Sequence, residues 1–566
     1  MLASAPSSRA QDCSWNVDLN GAAHRWLTLA SDGGHGVLAV SYPERWRDHG
    51  TISGTLRLHH VLEHGAEDPA FPSGGVTFFT PPPGETRRGV MVMSALPDDA
   101  GGAWVLAMHN DPTAPHLRPY ETATFRVHHV NASGEVAPGW VAGGLLLNST
   151  FGSPTLIDHA DMVADGAGGV IVAWIAPATY PRSHVRAQRF AADGTPVWPG
   201  GSDGVMVSDS LRVRSALRVA GDGAGGLGAA VSTQLNLTSE RNAHAFRVPA
   251  SGVPAWPAAG VLVYGELGLH ESPDALAFDE TGNLFVLFRS IPSEPDLSFT
   301  LAQLLNPNGS RLFNGSSGLE LSQATFLGGS VTSTPAGFVT VHATAPSGTA
   351  MQLLDASGTT YWGGGAEGVP SPPFERPPVR FSDGTIMFVW ADPPSFFDGP
   401  PTVIHALQIG GDGAPAPGWA ADGVVVCGAL FGHILTDAFT PDGEVLMVGL
   451  GTDEYSTIEP RILRLSRQVL GTEDPPLPRA LDLSTPAPNP SRGEWTVKLS
   501  LPSASEVTLE VFDISGRRVL SHDVGLLPAG RHTLARPTRG TLAPGVYRLR
   551  ARTSAGVAER MLVSVR

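Results

Sequence analysis

The chain has 566 residues, beyond the size of one ordinary single-core domain. Gly (67) and Pro (49) make up about a fifth of it, yet 42% is hydrophobic. That balance excludes a disordered chain, and the Gly and Pro content excludes long helices. The net charge is −16; residues 484–566 carry 12 Lys and Arg against 6 Asp and Glu, so the remainder is near −22. So acidic a body excludes nucleic acid as a main partner, because phosphate binding needs clustered Lys and Arg.

The opening Met1–Gln11 is small and polar like the cleavage region of a signal peptide, without its charged start or apolar stretch. Residues 1–13 are therefore read as a disordered tail or a signal remnant. Only Cys13 and Cys427 are present, too few for a disulfide framework or a zinc site. No run of 18 apolar residues occurs, so no transmembrane helix is expected.

From residue 20 to residue 470 one pattern recurs. An apolar stretch leads to Asp-Gly-x-Gly-Gly and an alternating apolar run that often ends in Trp. After a gap come an apolar run with Arg or Gln, a Gly-containing turn, a Trp and Gly-Val-x-Val. The clearest copy runs from Asp165 through Trp174, Val185–Phe190, Asp193-Gly194 and Trp198 to Gly204–Val207. Its neighbours start at Asp32, Asp99 and Asp222; weaker copies follow at Thr281, Ala336, Asp383 and Asp442.

Each copy reads as four strands, because alternating apolar and polar residues mark half-buried strands. Asp-Gly and Ser-Gly supply the positive φ of tight hairpin turns. Four-stranded units of about 45–68 residues suit propeller blades, with the recurrent Trp packed between neighbours. The eighth copy lacks a fourth strand, which Trp15–Leu19 could supply, closing the ring. Closure would bring the Cys13 region toward Cys427. A disulfide there is one reading; a small buried core residue at Cys427 is the other.

The predicted fold is all-β: a seven- or eight-bladed β-propeller over 14–470, a Pro-rich linker at 471–483, and a small Ig-like sandwich at 484–566. In the last segment Trp495–Leu501, Val507–Arg517, Leu542–Leu549 and Glu559–Val565 are short alternating strands with turn signals between them. Its charge is Arg-rich, with Lys498 its one lysine, which a GC-rich genome explains more cheaply than function does.

These residues resemble the C-terminal sorting domain of type IX secretion cargo and the related Ig-like domain of flagellar hook-capping proteins. The resemblance rests on Asn489-Pro490 with Gly493, Asp513, Gly516 and Arg517 in Val-Phe-Asp-Ile-Ser-Gly-Arg, Ala529-Gly530, and Gly545 with Tyr547 in Pro-Gly-Val-Tyr-Arg. It implies a bacterial protein whose tail is read by outer-membrane secretion machinery, placing the chain outside the cell or on its surface. Such tails usually carry Lys near the end, where this one has Arg560. The repeats resemble those of large secreted bacterial proteins with such tails, a likeness that implies no defined activity.

No residue set commits to catalysis, a cofactor or a metal. His60-Val-Leu-Glu63-His64 matches the H-x-x-E-H pattern of inverted zinc proteases, but that chemistry needs a helix and this run reads as a strand end. His59-His60 and His128-His129 occupy equivalent strand positions; alternation sends one of each pair into the sheet and one out. The Asp-Gly-x-Gly-Gly loops offer too few carboxylates for calcium. Ser382–Thr385 with Trp390 has the letters of a sialidase box at the wrong spacing, and neither G-x-S-x-G nor a P-loop occurs. Two distant carboxylates could still meet at a propeller's centre.

Three functions fit: a non-catalytic secreted or surface protein whose propeller binds a glycan or protein, an exported polysaccharide hydrolase or lyase with a central-channel site, and a structural surface-layer component. The first is the expectation carried forward.

Overall fold

The computed structural model describes most of the chain between residues 17 and 565. Outside the described residues lie 1–16, 19–25, 43–54, 81–89, 110–123, 148–159, 372–378, 393–401, 452–460, 467–480 and 536–541, with shorter loop stretches. The chain divides into two compact units, residues 1–471 and 472–566. The described structure is almost all strand.

The first unit is built from four-stranded antiparallel sheets, eight among the described residues. Sheet 1 runs Trp26–Ser31, Val37–Tyr42, Leu56–Val61 and Val76–Phe79, each strand antiparallel to the one before it. Sheets 2 to 7 repeat that order over 90–146, 160–206, 218–262, 269–324, 330–370 and 379–430. Sheet 8 takes His433–Phe439, Val445–Gly451 and Arg461–Ser466. Its fourth strand is Val17–Asp18, with Val17 opposite Ile462 and Asp18 opposite Arg461. The first strands of successive sheets pack together from sheet 1 to sheet 7. His433–Phe439 of sheet 8 packs against Trp26–Ser31 of sheet 1, so the series returns to its start.

The apolar residues explain this stacking. Each core cluster draws on two successive sheets: Leu38 and Leu58 with Val105, Ile171 and Val185 with Phe246, Ala245 with Val286, Phe285 with Phe338. Ala103–His109 and Leu227–Thr233 are buried at every residue. Half-buried strands were the expectation; these second strands are covered on both faces, because each sheet is sandwiched between two others. Burying one side chain such as Trp174 or Phe246 contributes about 2–3 kcal/mol.

An aromatic side chain ties each sheet to the next. The indole N–H of Trp140 donates to the Ala192 carbonyl at 2.9 Å, that of Trp198 to Ala250 at 3.1 Å, and that of Trp256 to Pro307 at 2.9 Å. Each acceptor lies in the third hairpin turn of the following sheet. The turn glycine there packs on the ring: a Cβ on Gly252 would lie 2.6 Å from Trp198.

The Asp of the first hairpin closes that turn. Asp165 Oδ1 accepts the backbone N–H of Ala167 and Gly169, both at 2.7 Å, and Asp32 and Asp222 repeat the arrangement. Gly169 has no room for a side chain, since a Cβ would stand 2.4 Å from the Phe190 carbonyl oxygen. In sheet 2 the closing residue is Asp98, one position before the Asp99 of the repeat; Asp98 accepts from Ala100 and Gly102, while Asp99 takes φ 59°. In sheet 5 it is Asp279, accepting from Thr281 and Asn283.

The second unit holds two sheets. One is Asp482–Leu483, Thr496–Leu501 and Gly530–Ala535; the other is ordered Arg518–Leu527, Ser505–Asp513, Gly545–Thr553, Gly556–Ser564. They share one core, in which Trp495, Val497 and Leu499 meet Val507, Leu509, Leu549 and Leu562. Cys13 lies outside the described residues, as does the Cys427 side chain, and with them the proposed pairing.

Candidate functional site

The first strands of sheets 3, 4 and 5 bring charged side chains together. Asp161 lies on Ala160–Ala164, Arg218 on Arg218–Gly221 and Asp274 on Leu269–Phe278, at a register irregularity between Pro273 and Ala275. Such an irregularity re-aims a side chain off the regular pleat. Arg289 Nε lies 2.9 Å from both Asp274 carboxylate oxygens, and Arg218 Nε donates to the Asp274 carbonyl at 2.9 Å. Loss of water pushes the Asp161 carboxyl up to about 6, against the Met162 N–H and the Arg218 charge. It also pushes Asp274 up to about 6, against Arg289 and Arg218. On the same strand Glu271 is 1% exposed and is pushed up to about 8 by burial, against the N–H of Ala243.

Carboxyls raised into this range near guanidinium groups are what acid–base chemistry on a glycan would use. Here the geometry is that of an internal ion pair. The Asp274 side chain is 4% exposed and both its oxygens face Arg289. Arg218 ties sheet 4 to sheet 5 through the Asp274 backbone.

In sheet 1 the His59 imidazole stands between a hydroxyl and a carboxylate. Ser41 Oγ is 2.9 Å from Nε2, and Glu67 Oε1 is 3.9 Å from Nδ1. This is the order of an acyl-transfer triad, which sequence spacing did not signal because the three residues meet only through strand pairing. Ser41 and His59 are each buried to about 3% exposure inside the stacked sheets, where a substrate carbonyl has no approach.

The histidine pairs depart from the one-in, one-out expectation. His59, His128 and His129 are all buried and His60 nearly so, because both faces of each sheet are covered. His60 lies on the strand Leu56–Val61, with Nε2 3.1 Å from Asp32 Oδ2 and Nδ1 2.9 Å from Asp68 Oδ2. Burial alone would lower its pKa, but the two carboxylates outweigh it and raise it. Glu63 and His64 of the H-x-x-E-H run lie outside the described residues, as do Ser382, Asp383 and Gly384. His129 stacks on Trp104 and pairs with Asp98 at 2.8 Å. His128 lies 3.3 Å from His109 between their Nε2 atoms; burial, helped by the Arg126 charge, lowers it to about 3. Among the described residues no group of three or more His, Cys, Asp or Glu could hold a metal ion.

In the second unit most motif residues gather at one end of the four-stranded sheet. Asp513, Tyr547 and Leu562 form one row across three strands. Asn489 joins the row's edge: its Nδ2 donates to the Met561 carbonyl at 2.9 Å and its Oδ1 accepts the Val563 N–H at 2.8 Å. The Asn489–Pro490 peptide is cis. Asp513 Oδ1 accepts the N–H groups of Ser515 and Arg517, and Oδ2 faces Arg517 Nε at 3.2 Å. Gly516 takes φ 80° in that turn. The Tyr547 hydroxyl donates to the Ala543 carbonyl at 2.7 Å, with Gly545 beside the ring. Gly530 is not part of this group; it pairs with Leu501 in the other sheet. Gly493 lies outside the described residues.

Residues 487–564 match the family described as the secretion system C-terminal sorting domain. No curated protein matches the chain. Among solved structures it is similar to an ulvan lyase, at 10% identity and TM-score 0.38, over 81% of this chain and 100% of that one. It is also similar to an endo-arabinase from Bacteroides thetaiotaomicron VPI-5482, at 14% identity and TM-score 0.27, over 56% and 94%. A third is an α-L-arabinofuranosidase from Fusarium graminearum, at 9% identity and TM-score 0.28, over 65% and 91%. At these values none of them assigns an activity. The sorting domain makes the chain a type IX secretion cargo, exported to the cell surface or beyond. Among the described residues no helix is long and apolar enough to cross a membrane.

Proposed function

We propose that the first unit is an eight-bladed β-propeller acting as a non-catalytic scaffold that binds a glycan or protein, and that the second is an Ig-like sandwich that directs export and surface attachment. The observation that carries the reading is the sorting-domain match at 487–564, borne by a chain whose remaining sheets return to their start. Ring closure removes exposed strand edges, which suits a protein working outside the cell. Asn489, Pro490, Gly493, Asp513, Gly516, Arg517, Gly530, Gly545 and Tyr547 then hold the shape that outer-membrane secretion machinery reads. The absence of catalysis is supported by how the candidate groups are occupied: Asp274 faces Arg289, and Ser41 is buried.

The test is the full-length protein on a glycan and polysaccharide panel, scoring binding and product release together. Binding without release is expected. Release of sugar would overturn the scaffold reading. One observation favours a second reading as an exported polysaccharide hydrolase or lyase: Asp161 and Asp274, both raised to about 6, lie on first strands of sheets 3 and 5 with Arg218 between them. In that case Asp161→Asn and Asp274→Asn would each abolish release. For the tail, deleting residues 484–566 should stop export; continued export refutes the sorting role.

A further inference from the structure

We propose that the outward face of the four-stranded sheet in the second unit is a docking surface for an acidic protein surface of the export machinery. The proposal rests on the sorting role argued above and says which face is read.

Strand alternation sets this face. On Gly545–Thr553, Leu549 and Ala551 point into the core and are fully buried, so Val546, Arg548, Arg550 and Arg552 point away from it. Pairing then fixes their neighbours. Arg550 stands between Glu510 and Glu559, Arg548 between Phe512 and Met561, and Arg552 between Thr508 and Val557. Val546, Val557 and Met561 are 45%, 55% and 63% exposed, adjoining apolar residues on one face.

The arginines are held in place. Arg550 Nε lies 2.7 Å from Glu559 Oε1, and its guanidinium stands 4.4 Å over the Phe512 ring. Arg518 NH1 lies 2.7 Å from Glu510 Oε1, and Arg548 NH1 lies 3.5 Å from Glu559 Oε2. Four arginines against two glutamates leave the face cationic. Nucleotide composition explains an Arg-rich segment; it does not explain three arginines at alternate positions of one strand, all on the outward side.

Arg, Met and aromatic residues without Lys are the side chains that enrich protein interfaces. Guanidinium groups fixed by ion pairs and an aromatic ring lose less freedom on meeting a carboxylate than free ones do. Two glutamates embedded in the face count against an anionic bilayer, which would repel them. An acidic protein surface with an apolar centre fits both parts.

The test uses the full-length chain in a host that exports it. Arg548→Glu/Arg552→Glu reverses the face. Lys498→Glu, an exposed site on the other sheet, makes the same kind of change elsewhere. The reversal should cut the exported fraction about tenfold or more, with full-length protein retained inside, while Lys498→Glu stays within about twofold of the parent. Should the reversal fail to fold, Arg548→Gln/Arg552→Gln is read in the same way. Export of the folded variants at the parent level, alongside a blocked 484–566 deletion, overturns the docking face and leaves the sorting role standing. Export of the deletion overturns both. Arg-dependent binding of the purified parent to phosphatidylglycerol vesicles would assign the face to a membrane and overturn the proposal.

Discussion

Replacing Glu271 by Gln should stabilise the protein in alkali and not in acid. Glu271 is 1% exposed, one oxygen accepts the Ala243 N–H at 2.6 Å, and the other has no partner among the described residues. Its cross-strand neighbour Ser290 also has an orphan buried hydroxyl. Burial raises the folded carboxyl to about 8 from an ordinary 4.5. Between these values the folded state holds a proton that the unfolded state has released. Stability therefore falls as pH rises, by about 3 kcal/mol at pH 7 and about 5 kcal/mol once the folded carboxyl ionises. Gln keeps the shape and an oxygen for Ala243, places an amide N–H toward Ser290, and carries no charge at any pH. Urea unfolding of parent and variant at pH 5, 7 and 9, followed by tryptophan fluorescence, isolates the effect, because other titrations cancel in the difference. The stability gain of the variant should grow with pH. A difference independent of pH, or one that shrinks toward pH 9, refutes the reasoning.

Asp165→Ala should cost about 3 kcal/mol in urea unfolding, since it orphans two N–H groups and the Arg189 guanidinium at 2.8 Å; Asp165→Asn keeps the turn acceptor and should cost about half as much. Equal losses would remove the turn from the explanation. His128, folded near 3 and unfolded near 6.5, binds its proton first in the unfolded state, so stability falls as pH drops through that window, by about 3 kcal/mol at pH 4.5. His128→Phe should flatten the thermal midpoint between pH 7 and 4.5; an unchanged slope would assign acid sensitivity elsewhere. Deleting residues 1–18 removes Val17–Asp18 and leaves Arg461–Ser466 as an open edge. Light scattering at two concentrations should then show self-association, and a monomer with the parent's melting temperature would mean that this strand does not guard the edge.

The repeat was legible because turns are local. An Asp whose carboxylate closes a hairpin must sit next to glycine, and that pairing shows as letters in Asp165-Gly166 and Asp222-Gly223. The same turn in sheet 5 was placed at Thr281, because Asp279 closes it with Glu280 following in place of glycine. In sheet 2 the double acid Asp98-Asp99 hid which residue does the closing. The charged groups at the first strands were not legible at all. Asp161, Arg218 and Asp274 are separated by more than fifty residues each and meet only because first strands of successive sheets adjoin. Likewise, covering both sheet faces requires the neighbouring sheets, so alternation in one strand misplaced His60 and His129.

The turn chemistry also bears on what the negative charge means. Asp32, Asp98, Asp165, Asp222 and Asp279 each spend one carboxylate oxygen on hairpin N–H groups. The other oxygen faces a basic third-strand side chain in three sheets: His60, His129 and Arg189. Loss of water would raise Asp32, Asp98 and Asp165, but these hydrogen bonds outweigh it and hold all three below the usual carboxylate range. They stay ionised because the fold needs them ionised. Part of the acidity of the first unit is therefore a by-product of one repeated turn rather than a surface built for a cationic partner. A ligand for this unit should be sought through shape and apolar contact before charge. In the second unit the logic reverses, since Asp513 closes the same kind of turn while the arginines beyond it stand on an open face.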